Sequence, residues 1–146
     1  MPTNILVPLD GSELSLAAIE PAAKLAAGLP AELILLRVLD SANYGSVLND
    51  PALWKDPQPD LAEAQRMLEA IAEPLRARGL AVRVRTEVGS PATTIAAVAE
   101  QEQSETIAMA THGRGGIARL VLGSVAETVL RRAHRPLLLI RPESLG

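Results

Sequence analysis

The chain contains no cysteine and no phenylalanine, and it has only one tryptophan, one tyrosine and two histidines. Without cysteine it can form neither a disulfide framework nor a thiolate metal site, and a zinc site would need unusual help from carboxylates. No long basic run occurs, and the formal net charge is −3 at pH 7. The electrostatic footprint of a nucleic-acid-binding protein is therefore not indicated.

Long apolar runs are also missing. No segment approaches the roughly 18 uninterrupted apolar residues of a membrane-spanning helix, and the N-terminal sequence MPTNILVPLD lacks the basic and apolar regions of a signal peptide. We therefore expect a cytoplasmic protein. Because 48% of the 146 residues are hydrophobic, the chain can bury one core, and we expect a single domain over residues 1–146.

Short β-branched and leucine-rich runs alternate with longer alanine-rich segments of helical period. This alternation is typical of an α/β protein, in which helices cover a parallel sheet. The runs predict five strands, near residues 4–9, 32–38, 81–88, 105–110 and 136–141.

The segments between the strands carry signals for four helices. Ser12 is predicted to cap the first helix, and Pro21 predicts a bend in it. In the second helix, Asp60 and Glu63 have the spacing of a capping box, and Pro74 predicts a bend. Ser90 and Pro91 suit the first positions of the third helix, and Gly123 and Ser124 open the fourth. The predicted helices span residues 13–27, 61–78, 91–102 and 124–133.

The segment ATHGRGGIARLVLGS, residues 110–124, places a glycine-rich loop between a buried strand and the start of a helix. Glycines let the backbone approach an anion closely. The free N–H groups at a helix start point at such an anion, with the positive end of the helix dipole behind them. This segment therefore predicts a phosphate site, and a nucleotide is the first ligand to consider.

The two candidate edge strands differ in charge. Residues 82–85 alternate valine with arginine, which suits an exposed edge that repels other strands, whereas Leu137 to Ile140 carry no charge. The uncharged strand must lie in the centre of the sheet or be covered by another chain. A two-fold axis beside it would let it pair antiparallel with its copy, between the flanking Pro136 and Pro142.

Several stretches together resemble the universal stress protein family across nearly the whole chain: ILVPLDGSELSLAAI, LILLRVLD, the Gly-Ser-Pro turn at residues 89–91, and ATHGRGGIARLVLGSVAETVLRRAHRPLLLIRP. In the nucleotide-binding branch of that family the C-terminal loop reads Gly, two residues, Gly, nine residues, Gly, then Ser or Thr. Gly113, Gly123 and Ser124 match this pattern. The first glycine is replaced by Ala110, whose methyl group would crowd the ribose or, if φ is negative, be tolerated.

The resemblance implies an open five-stranded parallel sheet of order 3-2-1-4-5 with helices on both faces, a flavodoxin-like or Rossmann-like fold. It also implies bound ATP, with or without Mg²⁺, and a homodimer through the last strand. With that strand order a crevice opens between the carboxyl ends of the first and fourth strands. The binding residues that it implies are Pro8, Leu9, Asp10, Val38, Met109, Ala110, His112, Gly113, Arg114, Gly123, Ser124 and Val125.

Several of these residues have simpler explanations. Asp10 could be an ordinary turn aspartate that accepts a local backbone hydrogen bond. Ser124 and Glu127 have the S-x-x-E spacing of a capping box, which by itself would explain both residues. Arg114 could be a solvated loop arginine. His112 could complete a triad with Asp10 and Ser12, but no nucleophile turn such as G-x-S-x-G is present, so no catalytic residue and no metal ligand are assigned.

Other nucleotide signatures are missing from the sequence. Neither the P-loop pattern G-x-x-x-x-G-K-[ST] nor a G-x-G-x-x-G fingerprint after the first strand occurs. We expect an ATP-binding protein that acts in the stress response as a nucleotide-dependent conformational or partner switch, with hydrolysis slow if it occurs. The alternatives are a slow ATP hydrolase and a dimeric interaction module that has lost ATP binding.

Overall fold

The computed structural model describes residues 3–45, 50–111 and 123–142. Five strands form one parallel sheet, as the residue pattern predicted, in the order β3-β2-β1-β4-β5 that the resemblance implied. They are β1 Asn4–Pro8, β2 Glu32–Asp40, β3 Val82–Gly89, β4 Thr106–Ala110 and β5 Leu137–Ile140. β1 and the first half of β2 are buried on both faces, which is why they are nearly continuous apolar runs.

Helices cover both faces of the sheet, and each face has its own core. The helices are α1 Ile19–Gly28, α2 Gln58–Ala77, α3 Pro91–Gln101 and α4 Ser124–Arg132. Alanines of α1 and leucines of α2 pack on one face, which we call the α1/α2 face. Residues of α3 and α4 pack on the other, which we call the α3/α4 face. No helix in the described ranges is long and apolar enough to cross a membrane.

The first helical segment differs from the single helix predicted over residues 13–27. It begins as a 3₁₀ helix, Leu14–Ala18, and becomes α-helical only at Ile19. Pro21 explains the change, because it lacks an N–H and its ring would clash with the carbonyl four residues earlier in a continuous α-helix. In the first turn of α1 that N–H is not needed. The Ser12 hydroxyl accepts a hydrogen bond from the Ser15 amide at 3.2 Å, although Glu13 and not Ser12 directly precedes the 3₁₀ helix.

The predicted capping box of the second helix is wrong. The helix α2 begins at Gln58, two residues before Asp60, and the Asp56 carboxylate accepts the Gln58 amide at 3.0 Å. Asp60 instead accepts a hydrogen bond from the Tyr44 hydroxyl at 2.7 Å and pairs with Lys55 at 3.2 Å. These two partners hold the pKa of Asp60 below its ordinary value. A tertiary contact has therefore taken the side chain that the local pattern assigned to a cap.

The third and fourth helices begin where the sequence predicted, at Pro91 and Ser124. The cap of α4, however, is Gly123, whose φ of 79° favours glycine. Ser124 is thus the first helical residue, and Glu127 pairs with Arg131 at 2.7 Å. The capping-box explanation of Ser124 and Glu127 is wrong for this reason.

The two edge strands of the sheet differ in charge, as the sequence predicted. On β3, Arg83 pairs with Glu32 and Glu102, both at 2.8 Å, and Arg85 pairs with Glu102 at 2.9 Å. The carboxylates of Glu102 and Glu32 raise the pKa of Arg83 above its ordinary value. The other edge is β5, LLLI, which has no charged side chain. An uncharged edge of this kind is a template for pairing with another strand.

Candidate functional site

The central crevice lies where β1 and β4 separate. These strands pair at Ile5 with Thr106 and at Leu6 with Ile107, whereas β1 and β2 stay paired as far as Pro8 with Leu36. The carboxyl ends of β1 and β4 therefore border an open space. A cavity of about 160 Å³ occupies it, on the α3/α4 face. We call it the central cavity.

Seven predicted residues line the central cavity: Pro8, Leu9, Asp10, Val38, Met109, Ala110 and Val125. They come from the ends of three adjacent strands and from the first turn of α4. Gly123 and Ser124 directly precede that turn, as the cap and first residue of α4. Three predicted residues, His112, Gly113 and Arg114, lie outside the described residues.

Asp10 is the one ionisable residue among the described residues that line the cavity. Its Oδ1 accepts hydrogen bonds from the Ser12 amide at 2.9 Å and the Ser12 hydroxyl at 2.5 Å, so it does make the local turn bond. Burial raises the pKa of Asp10, but hydrogen bonds from Ser12 and Ser15 and the attraction of Arg37 outweigh burial and leave it below its ordinary value. At neutral pH this side chain is therefore a carboxylate that can accept a further hydrogen bond.

The walls of the cavity are apolar. Val38 and Met109 close it at the ends of β2 and β4, and Leu36 and Ile95 lie deeper in the same core. Met109 is only 7% exposed, so its side chain is held in place by packing. A slot with apolar walls and a single carboxylate suits a flat ring system that carries hydrogen-bond donors.

Two helices begin beside the cavity. Pro91, the first residue of α3, and Val125 and Ala126 of α4 are among its lining residues. The first intrahelical bond of α4 runs from the Glu127 amide to the Gly123 carbonyl at 3.0 Å, so the N–H groups of residues 124–126 have no acceptor within the helix. Free N–H groups and the helix dipole make this edge of the cavity favourable for an anion.

Ala110 replaces the first glycine of the family pattern, and its backbone is compatible with that replacement. Among the described residues, Gln103 is the only one other than glycine with a positive φ. Ala110 therefore does not have the left-handed backbone conformation that favours glycine. Its methyl group lines the cavity without backbone strain.

Sequence reasoning missed five lining residues: Ser15, Leu36, Pro91, Ile95 and Ala126. Leu36 could have been found, because it lies two residues before Val38 on the same strand and therefore on the same face. Ile95 and Pro91 come from α3, whose position over the strand ends depends on tertiary packing. The Gly-Ser-Pro turn was the available signal for that helix start.

Known proteins resemble this chain over nearly its whole length. A universal stress protein of Methanocaldococcus jannaschii is 30% identical over 138 residues, which cover 94% of this chain and 81% of that protein. The structure of universal stress protein UspA from Lactobacillus plantarum superposes with a TM-score of 0.79 at 27% identity, covering 95% of this chain and 97% of the other.

A universal stress protein from Archaeoglobus fulgidus, in complex with dAMP, has the same fold, with a TM-score of 0.69 at 21% identity and coverage of 96% and 97% of the two chains. The family model of the universal stress proteins matches residues 1–141. The sequence resemblance and the flavodoxin-like fold are thus confirmed, and the chain belongs to the universal stress protein family.

Proposed function

We propose that this universal stress protein binds ATP at the central cavity and acts as a cytoplasmic, nucleotide-dependent switch in the stress response. The observation that carries the proposal is that the Asp10 carboxylate and the first turn of α4, whose first N–H groups have no acceptor within the helix, line one apolar cavity. A ribose needs a hydrogen-bond acceptor, a base needs an apolar slot, and a phosphate chain needs a helix start that favours anions.

The size of the cavity determines which part of the nucleotide it could enclose. Pockets that enclose whole small molecules measure roughly 300–1,000 Å³, whereas this one measures about 160 Å³. It can therefore hold the base, between Val38 and Met109. The ribose would then lie at Asp10, and the phosphates would lie outside the cavity near Gly123 and Ser124.

The choice of an adenine nucleotide has two supports. The chain carries the family pattern at Gly113, Gly123 and Ser124, and the Archaeoglobus fulgidus relative contains dAMP. The Ser124 hydroxyl forms no hydrogen bond to another described residue, and its helix is already capped by Gly123. It is available to a phosphate oxygen.

The proposal assigns a binding role in which ATP is hydrolysed slowly if at all. Mass spectrometry of the small molecules released when the purified protein is denatured tests this directly. Recovery of ATP from the folded protein is the expected result. Recovery of ADP alone would favour a hydrolase, and a preparation that neither carries nor takes up nucleotide would favour the interaction module.

The Asp10 contact is tested by calorimetric titration of ATP, with and without Mg²⁺, into Asp10→Ala. Losing a hydrogen bond to a charged acceptor costs about 1.5–3 kcal/mol, so the dissociation constant should rise roughly ten- to hundredfold. Asp40→Ala is the matched control. Asp40 also follows a strand and accepts a local amide hydrogen bond, from Ala42 at 3.0 Å, but it does not line the cavity. Equal affinity in Asp10→Ala and the control would remove Asp10 from the site.

The phosphate part of the proposal is tested at Gly113. A β-branched side chain there should block close approach of the backbone, so Gly113→Val should abolish ATP binding and leave the circular dichroism spectrum of the fold unchanged. Normal ATP binding by a folded Gly113→Val protein would refute the phosphate-loop assignment.

We also propose that two copies pair through β5. This strand is at the edge of the sheet, is uncharged and is only half-buried. Leu139→Lys should convert a particle of about twice 15.4 kDa into monomers or aggregates in light scattering. Val84→Lys, at a half-buried apolar position on the opposite edge strand, is the control and should leave the dimer intact. A wild-type monomer at tens of micromolar would contradict the pairing.

A further inference from the structure

A second and larger space opens on the α1/α2 face, at the same carboxyl edge of the sheet. It measures about 520 Å³ and lies between α2, the 3₁₀ helix Leu14–Ala18 and the end of β2. We call it the lateral groove. Its apolar wall consists of Leu16, Leu39, Met67, Leu68 and Ile71. It shares Leu9 and Ser15 with the central cavity but contains none of the other residues of that cavity.

Among the described residues, one cationic side chain, that of Arg37, lines the groove. Its guanidinium is held against the backbone of Gly11: a Cβ at Gly11 would lie 2.9 Å from its Nη1. Gly11 has a φ of 86° and no side chain, so the guanidinium can occupy this position. Arg37 forms neither a hydrogen bond nor an ion pair with any other residue that the structure describes, although it attracts the charge of Asp10.

Two acidic residues also line the groove, and both are engaged by other cations or donors. Asp60 binds the Tyr44 hydroxyl and Lys55. Glu63 forms an ion pair with Arg66. Within the described part of the chain, the guanidinium of Arg37 is therefore the charge in the groove that has no direct partner.

The apolar wall is accessible as well as large. Met67 is 51% exposed and Leu16 is 41% exposed, although both side chains face a concave surface. A groove of this volume with apolar walls and one placed ionic group has the general character of a small-molecule site. An isolated guanidinium matches the two oxygens of a carboxylate.

We propose that the lateral groove binds an aliphatic carboxylic acid, with the carboxylate on Arg37 and the hydrocarbon chain along Leu16, Met67 and Ile71. A dianionic phosphate fits less well, because the carboxylates of Asp60 and Glu63 would repel its second charge. The wall residues are flexible aliphatic side chains, which adapt to a hydrocarbon chain better than to a rigid ring. This site is separate from the proposed nucleotide site and does not depend on it.

The probe for this site is decanoate, titrated into the full chain by calorimetry below its micelle concentration. Decanol is the neutral comparison, and Arg37→Gln removes the charge. Arg131→Gln is the control variant: it removes the same charge from an exposed helix position on the α3/α4 face, where the partner is Glu127. The Met67 methyl carbon, assigned by its loss in Met67→Leu, reports on the location of the probe by NMR.

One decanoate should bind per chain and shift the Met67 signal. Decanol and Arg37→Gln should each lower the affinity about tenfold, and Arg131→Gln should leave it unchanged. If decanol bound as tightly as decanoate, or if Arg37→Gln bound decanoate as tightly as the wild type, the groove would be a general apolar surface without a carboxylate site. A shift at Met109 instead of Met67 would place decanoate in the central cavity and overturn the proposal, as would the absence of binding at millimolar decanoate.

Discussion

The central cavity and the lateral groove lie at the same edge of one sheet and both have apolar walls, yet they differ in size and in the charged side chain that each contains. The central cavity is small and apolar, and its ionisable group among the described residues is the carboxylate of Asp10. The lateral groove is about three times larger by volume, 520 Å³ against 160 Å³, and contains the guanidinium of Arg37, which pairs with no other residue that the structure describes. The central cavity favours a ligand that presents donors to Asp10 and accepts an anion only at the start of α4, whereas the lateral groove favours an anion at Arg37.

The alternation of β2 produces this difference. Leu36 and Val38 point into the central cavity, whereas Arg37 and Leu39 point into the lateral groove. Successive side chains of a strand face opposite sides of a sheet, so four consecutive residues furnish both sites. The comparison teaches that alternate residues of one strand can contribute to two different ligand environments, although the two spaces also share Leu9 and Ser15 from outside β2.

The largest effect is expected from closing one space while leaving the other open. Val38→Trp should fill much of the central cavity and weaken ATP binding roughly a hundredfold or more, because the base loses its slot. Decanoate binding in the lateral groove should not change. Val88→Trp, at an exposed valine of β3 outside both spaces, is the control. Loss of decanoate binding in a folded Val38→Trp protein would show that the two spaces are not independent.

A smaller effect is expected at the turn between the two spaces. Gly11→Ala should destabilise the fold by about 1–2 kcal/mol, because φ is positive there, and should weaken decanoate binding severalfold by displacing Arg37. Gly79→Ala separates the effect of a positive φ on stability from the effect of displacing Arg37 on decanoate affinity. Gly79 has a φ of 91° but nothing within 4 Å of its Cβ position, so only the stability should fall. Chemical denaturation and calorimetry measure the two quantities, and unchanged decanoate affinity in Gly11→Ala would contradict the contact.

The smallest effect is expected at Ala110. Because its backbone is not left-handed, Ala110→Gly should change ATP affinity by less than about twofold, while glycine in the strand costs about 0.5–1 kcal/mol of stability. A gain in affinity of tenfold or more in calorimetry would mean that the methyl group obstructs the nucleotide. The central cavity would then be a weakened nucleotide site.

Much of the fold could be predicted because its signals are local or repeated. Apolar runs located the five strands, and Gly123 marked the start of α4. The alternating arginines of β3 indicated an edge. Two helix predictions were wrong because another constraint overrode the local pattern. Pro21 prevented one continuous first helix, and Asp60 accepts a hydrogen bond from the Tyr44 hydroxyl instead of capping the second helix. A contact between residues 16 positions apart is not visible in a four-residue capping pattern.

The candidate site could be predicted only in part, for a similar reason. Asp10, at the end of the first strand, follows from the strand order that the resemblance implies, whereas Val38 was implied by the resemblance alone. Ile95 follows from neither, because its position depends on how α3 packs over the sheet. Arg37 carries a local signal: it lies on the same face of LILLRVLD as three buried leucines, Leu33, Leu35 and Leu39, where a charged residue is unusual.

The three methionines of the chain allow the most direct test of the central claim. Met109 lines the central cavity, Met67 lines the lateral groove, and Met1 is at the N-terminus. With ¹³C-methyl methionine in the wild-type protein, titration with ATP should shift the Met109 signal and leave Met67 in place. A shift at Met67 alone, or no shift at either residue at millimolar ATP, would contradict nucleotide binding at the central cavity.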